Sequence, residues 1–186
     1  KTSDNALLAV QLINDSEVTK DDISDVFSAS MISLFVNTWD VDVWNALAPL
    51  LLEHQVQRQE LTDLVRKRFP KISLDSRTAV AASLFNRAAM PLVPLIKECQ
   101  ILSQLPTTGS YEGQMRPSRL TELSDAGAQL FVMSADATEL TELRLDGLTE
   151  LTDAVAESLS KHEGALCLSG LTSLSDAAAK RLGKFK

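Results

Sequence analysis

The chain has 186 residues, 45% of them hydrophobic and 23% charged, with a formal net charge of −7. That balance excludes a disordered or fibrous chain, and it argues against broad binding to nucleic acid or anionic membranes, which needs an excess of positive charge. A chain of this length buries roughly 70% of its unfolded surface, so it needs neither disulfides nor a structural metal to hold a core.

The elements follow in chain order. The sequence opens at Lys1 without a Met and without a secretory hydrophobic stretch, so it is read as a piece of a longer protein. Residues 21–36 carry Ile23, Val26, Phe27, Met31, Leu34 and Phe35 on a 3.6-residue period after the acidic pair Asp21 and Asp22, which predicts a helix. A second helix is predicted over 41–54, kinked at Pro49. Ahead of it Asp40 is a good N-cap, and Trp39 and Trp44 then occupy the two positions of a hydrophobic staple. That reading outweighs a metal site on Asp40 and Asp42. A third helix over 58–69 carries Leu61, Leu64, Val65 and Phe69 and is stopped by Pro70. Arg66, Lys67, Arg68 and Lys71 make a small basic cluster; cations in the last helical turn complement the helix dipole, and the aromatic or glycine-rich neighbours of a phosphate patch are missing. Two more helical segments are predicted at about 75–89 and 92–104.

An offset of 38 places Ile13, Val18, Ile23, Val26 and Phe27 on Leu51, Val56, Leu61, Leu64 and Val65. Such a period suits stacked helical hairpins of the HEAT or armadillo kind, and a plain helical bundle stands beside it as the other arrangement.

Composition then changes. All seven glycines lie at or beyond Gly109, whereas both tryptophans precede it. Glycine serves turns and caps, so long helices give way to short, frequently turning elements. The stretch from Pro106 to Pro117 reads as a linker or long loop. The predicted organisation is a helical domain over 1–105, a linker over 106–119 and a second domain over 120–186.

That second part repeats one phrase three times: Leu120-Thr-Glu-Leu-Ser-Asp-Ala-Gly-Ala, Leu148-Thr-Glu-Leu-Thr-Asp-Ala-Val-Ala and Leu171-Thr-Ser-Leu-Ser-Asp-Ala-Ala-Ala. The last two copies are 23 residues apart, as are Leu143-Arg-Leu-Asp-Gly and Leu166-Cys-Leu-Ser-Gly ahead of them. The first pair is spaced by 28, an insertion near 134–138. Alternating Leu-x-Leu predicts a short strand with one buried face, Gly a turn, and Ser or Thr the cap of a short helix. Asp125, Asp153 and Asp176 recur at the helix starts, where they act as caps or first-turn acids and not as general bases.

The phrase Leu-x-Leu-x-Gly-Leu-Thr-x-Leu-Ser/Thr-Asp-Ala, closed by Lys161-His162-Glu163-Gly164, resembles bacterial leucine-rich-repeat-like proteins with short repeats, over residues 115–186. The resemblance implies parallel strands lining a curved sheet with helices behind it, and a role in binding other macromolecules. The first copy departs from it: Met115-Arg-Pro-Ser-Arg stands where the strand is expected. The expected fold class is therefore α+β, mostly α, with a helical bundle or HEAT-like hairpins followed by a short leucine-rich-repeat-like α/β solenoid. Leu182-Gly-Lys-Phe-Lys186 aligns 23 residues after Leu159-Ser-Lys-His-Glu163, one or two residues before a next strand is due. More repeats beyond Lys186, or self-association through an open C-terminal sheet edge, are expected to cover that end.

Chemistry is sparsely represented. His54 and His162 belong to different parts, and no Cys or His spacing suits zinc. Phosphate-cradling, dinucleotide, nucleophile-elbow and zinc-protease motifs are missing, as is C-x-x-C. No enzyme, cofactor or metal site is expected. Cys99, among Ile96, Leu102 and Leu105, reads as a buried structural thiol, and Cys167, between Leu166 and Leu168, as an exposed one. No apolar run reaches the ~18 residues of a membrane span, and two cysteines make no disulfide framework, so a cytoplasmic setting is expected. The candidate binding residues are those between the inward leucines: Arg144 and Asp146 on one strand, Cys167 and Ser169 on the next. The expected role is a protein–protein interaction or scaffold module acting through that sheet face, with no nucleic-acid or membrane partner. The alternative is a helical regulatory or oligomerisation adaptor of a larger protein whose catalytic region lies elsewhere.

Overall fold

The computed structural model describes residues 25–53, 55–106, 120–139 and 141–183. Ile13, Val18 and Ile23 of the 38-residue offset, His54, and all but the first residue of the 106–119 linker lie outside the described residues. Those described are mostly helical: eight helices, two 3-10 turns and two short parallel strands.

Helix α1 (Asp25–Thr38) buries Met31, Ile32, Phe35 and Val36, one stripe at helical spacing. Leu34, expected on that stripe, lies beside it and is only partly buried. Trp39 ends the helix in the left-handed region at φ 49°, the conformation usually given to glycine at this position. Its ring is wedged edge-on between Trp44 and Phe69, with centroids 5.8 and 5.5 Å away. Asp40 then caps α2 (Val41–Glu53): its carboxylate accepts the Asp42 N–H at 2.9 Å, and its carbonyl accepts the Trp44 N–H at 3.0 Å. The staple expected from the sequence is formed. Trp44 is fully buried, stacks on Phe35 at 4.5 Å and donates its indole N–H to the Phe35 carbonyl at 2.7 Å. Helix α2 runs on through Pro49, which sits on its exposed side.

Helix α3 (Gln55–Arg68) stops where Pro70 forces it to, in the 3-10 turn Phe69–Lys71. Helix α4 (Leu74–Arg87) starts at Ser73, whose hydroxyl accepts the Ser76 N–H. The segment expected as one helix over 92–104 is two pieces, α5 (Leu92–Glu98) and the 3-10 turn Leu102–Gln104, because Gln100 turns left-handed at φ 56° between them. Helix α2 is the hub, packed against α1, α3, α4 and α5, while α1 also packs on α3. This is the arrangement of a bundle, in which one helix is shared by the others. Asn45 fastens the end of α4 to the hub: its amide N–H donates to the Arg87 carbonyl and its carbonyl accepts the Ala89 N–H, both at 2.8 Å.

The compositional halves expected as separate domains share one cluster of buried side chains, running from Met31 to Leu159. The join is made by α6 (Asp125–Ala137) on α4. Ser124, the N-cap of α6, donates its N–H to the Phe85 carbonyl at 3.0 Å and its hydroxyl to the Ala88 carbonyl at 3.0 Å. Gly127 sits so close that a Cβ there would lie 1.7 Å from the Phe85 carbonyl oxygen. Phe85 and Phe131 meet edge to face at 5.0 Å behind it.

Beyond α6 the chain forms β1 (Glu142–Arg144), α7 (Asp153–Leu159), β2 (Ala165–Cys167) and α8 (Asp176–Leu182). The strands pair in parallel with Glu142 beside Ala165, Leu143 beside Leu166 and Arg144 beside Cys167. The register is thus an offset of 23, the spacing of the repeated phrase. The helix caps stack with the strands. Ser124, Thr152 and Ser175 each accept an N–H three residues on. Thr152 donates in turn to the Asp125 carboxylate at 2.8 Å, and Ser175 to that of Asp153 at 2.7 Å. Thr172 extends the same pattern, giving both its N–H and its hydroxyl to the Thr149 carbonyl. Two of the aspartates read from the sequence as first-turn acids, Asp125 and Asp153, therefore also tie one copy to the next. Gly170, expected as a turn, is also required by crowding: a Cβ there would lie 2.0 Å from the Asp146 carbonyl oxygen.

Candidate binding face

Strand alternation divides the side chains of β1 cleanly. Leu143 and Leu145 are buried, whereas Glu142 and Arg144 are exposed. The parallel register places Ala165 beside Glu142 and Cys167 beside Arg144, and the other two nominated residues, Asp146 and Ser169, lie just past the ends of these strands. Hydrogen bonds link these residues. Arg144 donates through Nε and a terminal N–H to the same Asp146 carboxylate oxygen, each at 3.3 Å. The other Asp146 oxygen accepts the Ser169 N–H at 3.3 Å, across the strand-to-strand step. Cys167 donates its S–H to the Glu142 carboxylate at 3.3 Å.

Glu142 is the member that sequence reasoning missed. Glu142 precedes the first leucine of the Leu-x-Leu strand instead of lying between two. Plain i, i+2 alternation from Arg144 points to it.

The electrostatics follow from these bonds. Ser169, through its hydroxyl and then its N–H, holds the Asp146 carboxyl below its ordinary value, with Arg144 adding to the effect. The Asp146 link is therefore kept at neutral pH and lost only as pH falls through that lowered value. The hydrogen bond to Glu142 is the largest cause raising the Cys167 thiol above its ordinary value. Cys167 is half-buried, not exposed as expected, and the neighbouring carboxylate opposes the thiolate that a nucleophile or redox sensor needs. Cys99 is buried as expected, and burial pushes its thiol up to about 12.

The face can make directional contacts. It offers a guanidinium already oriented by one carboxylate, a second carboxylate on Glu142 with the small Ala165 beside it, and the Ser169 hydroxyl. A separate hollow of about 410 Å³ lies where α6 ends, lined by Asp136, Glu139, Thr141, Lys161, His162 and Glu163. His162 is buried there with its Nδ1 3.5 Å from the Asp136 carboxylate, and neither ring nitrogen makes a hydrogen bond. Among the described residues no group of three or more His, Cys, Asp or Glu is placed to hold a metal ion, and no helix is long and apolar enough to cross a membrane. No family model, curated protein or solved structure was found to match the chain.

Proposed function

We propose that the chain is a protein–protein interaction or scaffold module that binds a partner protein through the sheet face of a short leucine-rich-repeat-like solenoid. The observation that carries this reading is the gathering of Glu142, Arg144, Asp146, Cys167 and Ser169 on one solvent-facing surface, cross-linked by hydrogen bonds over two strands. Such a surface presents fixed polar groups at little entropic cost, because the side chains are already ordered. Its mixed charges fit a polar protein surface better than nucleic acid. Two unpaired thiols fit a cytoplasmic setting.

The test compares partner capture by the unaltered chain and by an Arg144→Glu/Cys167→Asp variant, after matching their thermal stability. An Arg58→Glu/Arg66→Glu variant on the bundle surface is the control. Loss of a partner in the first variant alone supports the sheet face. Loss in the control alone moves function to the bundle and to the adaptor reading.

A further inference from the structure

Two strand–turn–helix units follow α6, an inner one of β1 and α7 and an outer one of β2 and α8, and the three helices are unequal. Helix α6 has 13 residues, whereas α7 and α8 have 7 each. The extra length is the insertion near 134–138 that interrupts the 23-residue spacing. Within it the Ser134 hydroxyl donates to the Leu102 carbonyl at 2.6 Å, which fastens the added turn to the bundle. That turn carries Asp136, and Glu139 follows in the left-handed region at φ 54°. Both line the hollow of about 410 Å³, together with Lys161, His162 and Glu163, which close the inner unit.

His162 is the unusual member of this lining. Its side chain is 2% exposed, and among the described residues neither ring nitrogen has a hydrogen-bond partner. A buried polar group left in that state is uncommon in a folded protein and costs stability. Gly164 lets the ring lie so deep, since a Cβ there would be 2.4 Å from Nε2. On the opposite edge Nδ1 stands 3.5 Å from the Asp136 carboxylate. A neutral imidazole and a carboxylate each offer a lone pair, so two acceptors can face one another across that gap. A nitrogen carrying two N–H bonds, about 2.9 Å from each, would bridge them.

The rest of the lining sets the charge of what could enter. The carboxylates of Asp136, Glu139 and Glu163 stand against the single ammonium of Lys161, which leaves two negative charges unmatched when His162 is neutral. Among the described residues no three His, Cys, Asp or Glu are placed to hold a metal ion, so that charge is spread along the wall and does not converge on a point. An extended dication fits such a wall, and a volume of this size suits a small molecule.

We propose that the hollow is a binding site for a small aliphatic diamine, with one ammonium bridging Asp136 and His162 and the other paired with the carboxylates of Glu139 and Glu163. None of the residues of the sheet face lines it, so the site stands apart from partner binding there. Phe185 follows His162 by 23 residues, so a His162→Phe variant keeps the aromatic ring that the phrase carries elsewhere and removes only the nitrogens.

The experiment titrates the chain with 1,4-diaminobutane, and separately with butylamine as a monocation of similar length, at pH 8 and about 0.15 M salt to screen loose attraction. Calorimetry reads the affinity, and nitrogen NMR reads the histidine rings. The diamine is expected to bind about tenfold or more tighter than butylamine, and to shift the ring nitrogens of His162 but not those of His54. Asp136→Asn and His162→Phe should each weaken the diamine about tenfold. Glu60→Gln, which removes the same charge from an exposed position on α3, should leave it unchanged. Equal binding of the two amines overturns the proposal, as does diamine binding that leaves His162 unmoved or survives both variants. A His162 ring already protonated and paired with Asp136 in the free chain overturns it too, because its nitrogens would then need no ligand. Should His162→Phe fail to fold, Asp136→Asn decides alone, since that side chain is 59% exposed.

Discussion

The closed side of this molecule and its open end are built from the same kinds of residue. On the closed side, leucines of the inner unit lie between α6 and the outer unit and lose essentially all contact with water. At the open end the same phrase leaves its leucines half covered. The two cysteines repeat the contrast. Cys99 is held as a thiol by burial in the bundle, Cys167 by one carboxylate on a half-open strand. The lesson is that the 23-residue phrase specifies the shape of a unit, while its neighbours decide how much that unit stabilises the whole.

The largest way to break the closed side is at its foundation. Gly127→Ala drives a methyl group into the Phe85 carbonyl, and because that contact is backbone it cannot rotate away. We expect a loss of at least about 3 kcal/mol, or failure to fold, read by urea denaturation. A Gly183→Ala control, whose Cβ would lie 3.3 Å from the nearest atom, should change stability far less.

Next comes the direct comparison of units. Leu145→Ala should cost about 2–5 kcal/mol, as expected for a fully buried leucine. Leu168→Ala, its counterpart on the open end, should cost about half as much or less, because water already reaches the site. Equal losses would mean that the end is covered in solution.

A smaller effect separates the thiols by pH. Above pH 9.0 the unfolded chain gives up the Cys99 proton while the folded chain keeps it until about 12, so Cys99 makes stability fall as pH rises through that window. The slope is at most about 1.4 kcal/mol per pH unit, and Cys99→Ala should remove it. The stability gap between wild type and variant should therefore narrow from pH 9 upward. The smallest effect is at the open face: Glu142→Gln removes the acceptor charge that raises the Cys167 thiol, so alkylation of Cys167 at pH 8 should quicken severalfold without loss of stability.

Much of this was legible in the sequence, for reasons that can be named. The Asp40 cap with its tryptophan staple, the stop at Pro70 and the three Ser/Thr caps are local, each settled within about five residues. The 23-residue register was also readable, because a repeat in sequence became a repeat in space. Break points set by a left-handed non-glycine residue were not readable: nothing local marks Gln100 as the end of α5. Nor was the shared core, because the approach of Gly127 to Phe85 joins residues 42 positions apart that carry no common motif. At the candidate face, alternation points to four residues; the hydrogen bonds that join them and Glu142 depend on which strand lies beside which.

The most direct test of the sheet-face account is to place a photocrosslinking side chain at Ser169 on the face and, separately, at Ala154 on the exposed side of α7. Both positions are open to solvent, so neither insertion should disturb the core. The account predicts that the partner captured by the unaltered chain is crosslinked from Ser169 and not from Ala154. Crosslinking from Ala154 alone would contradict it, and would put the partner on the helices behind the sheet.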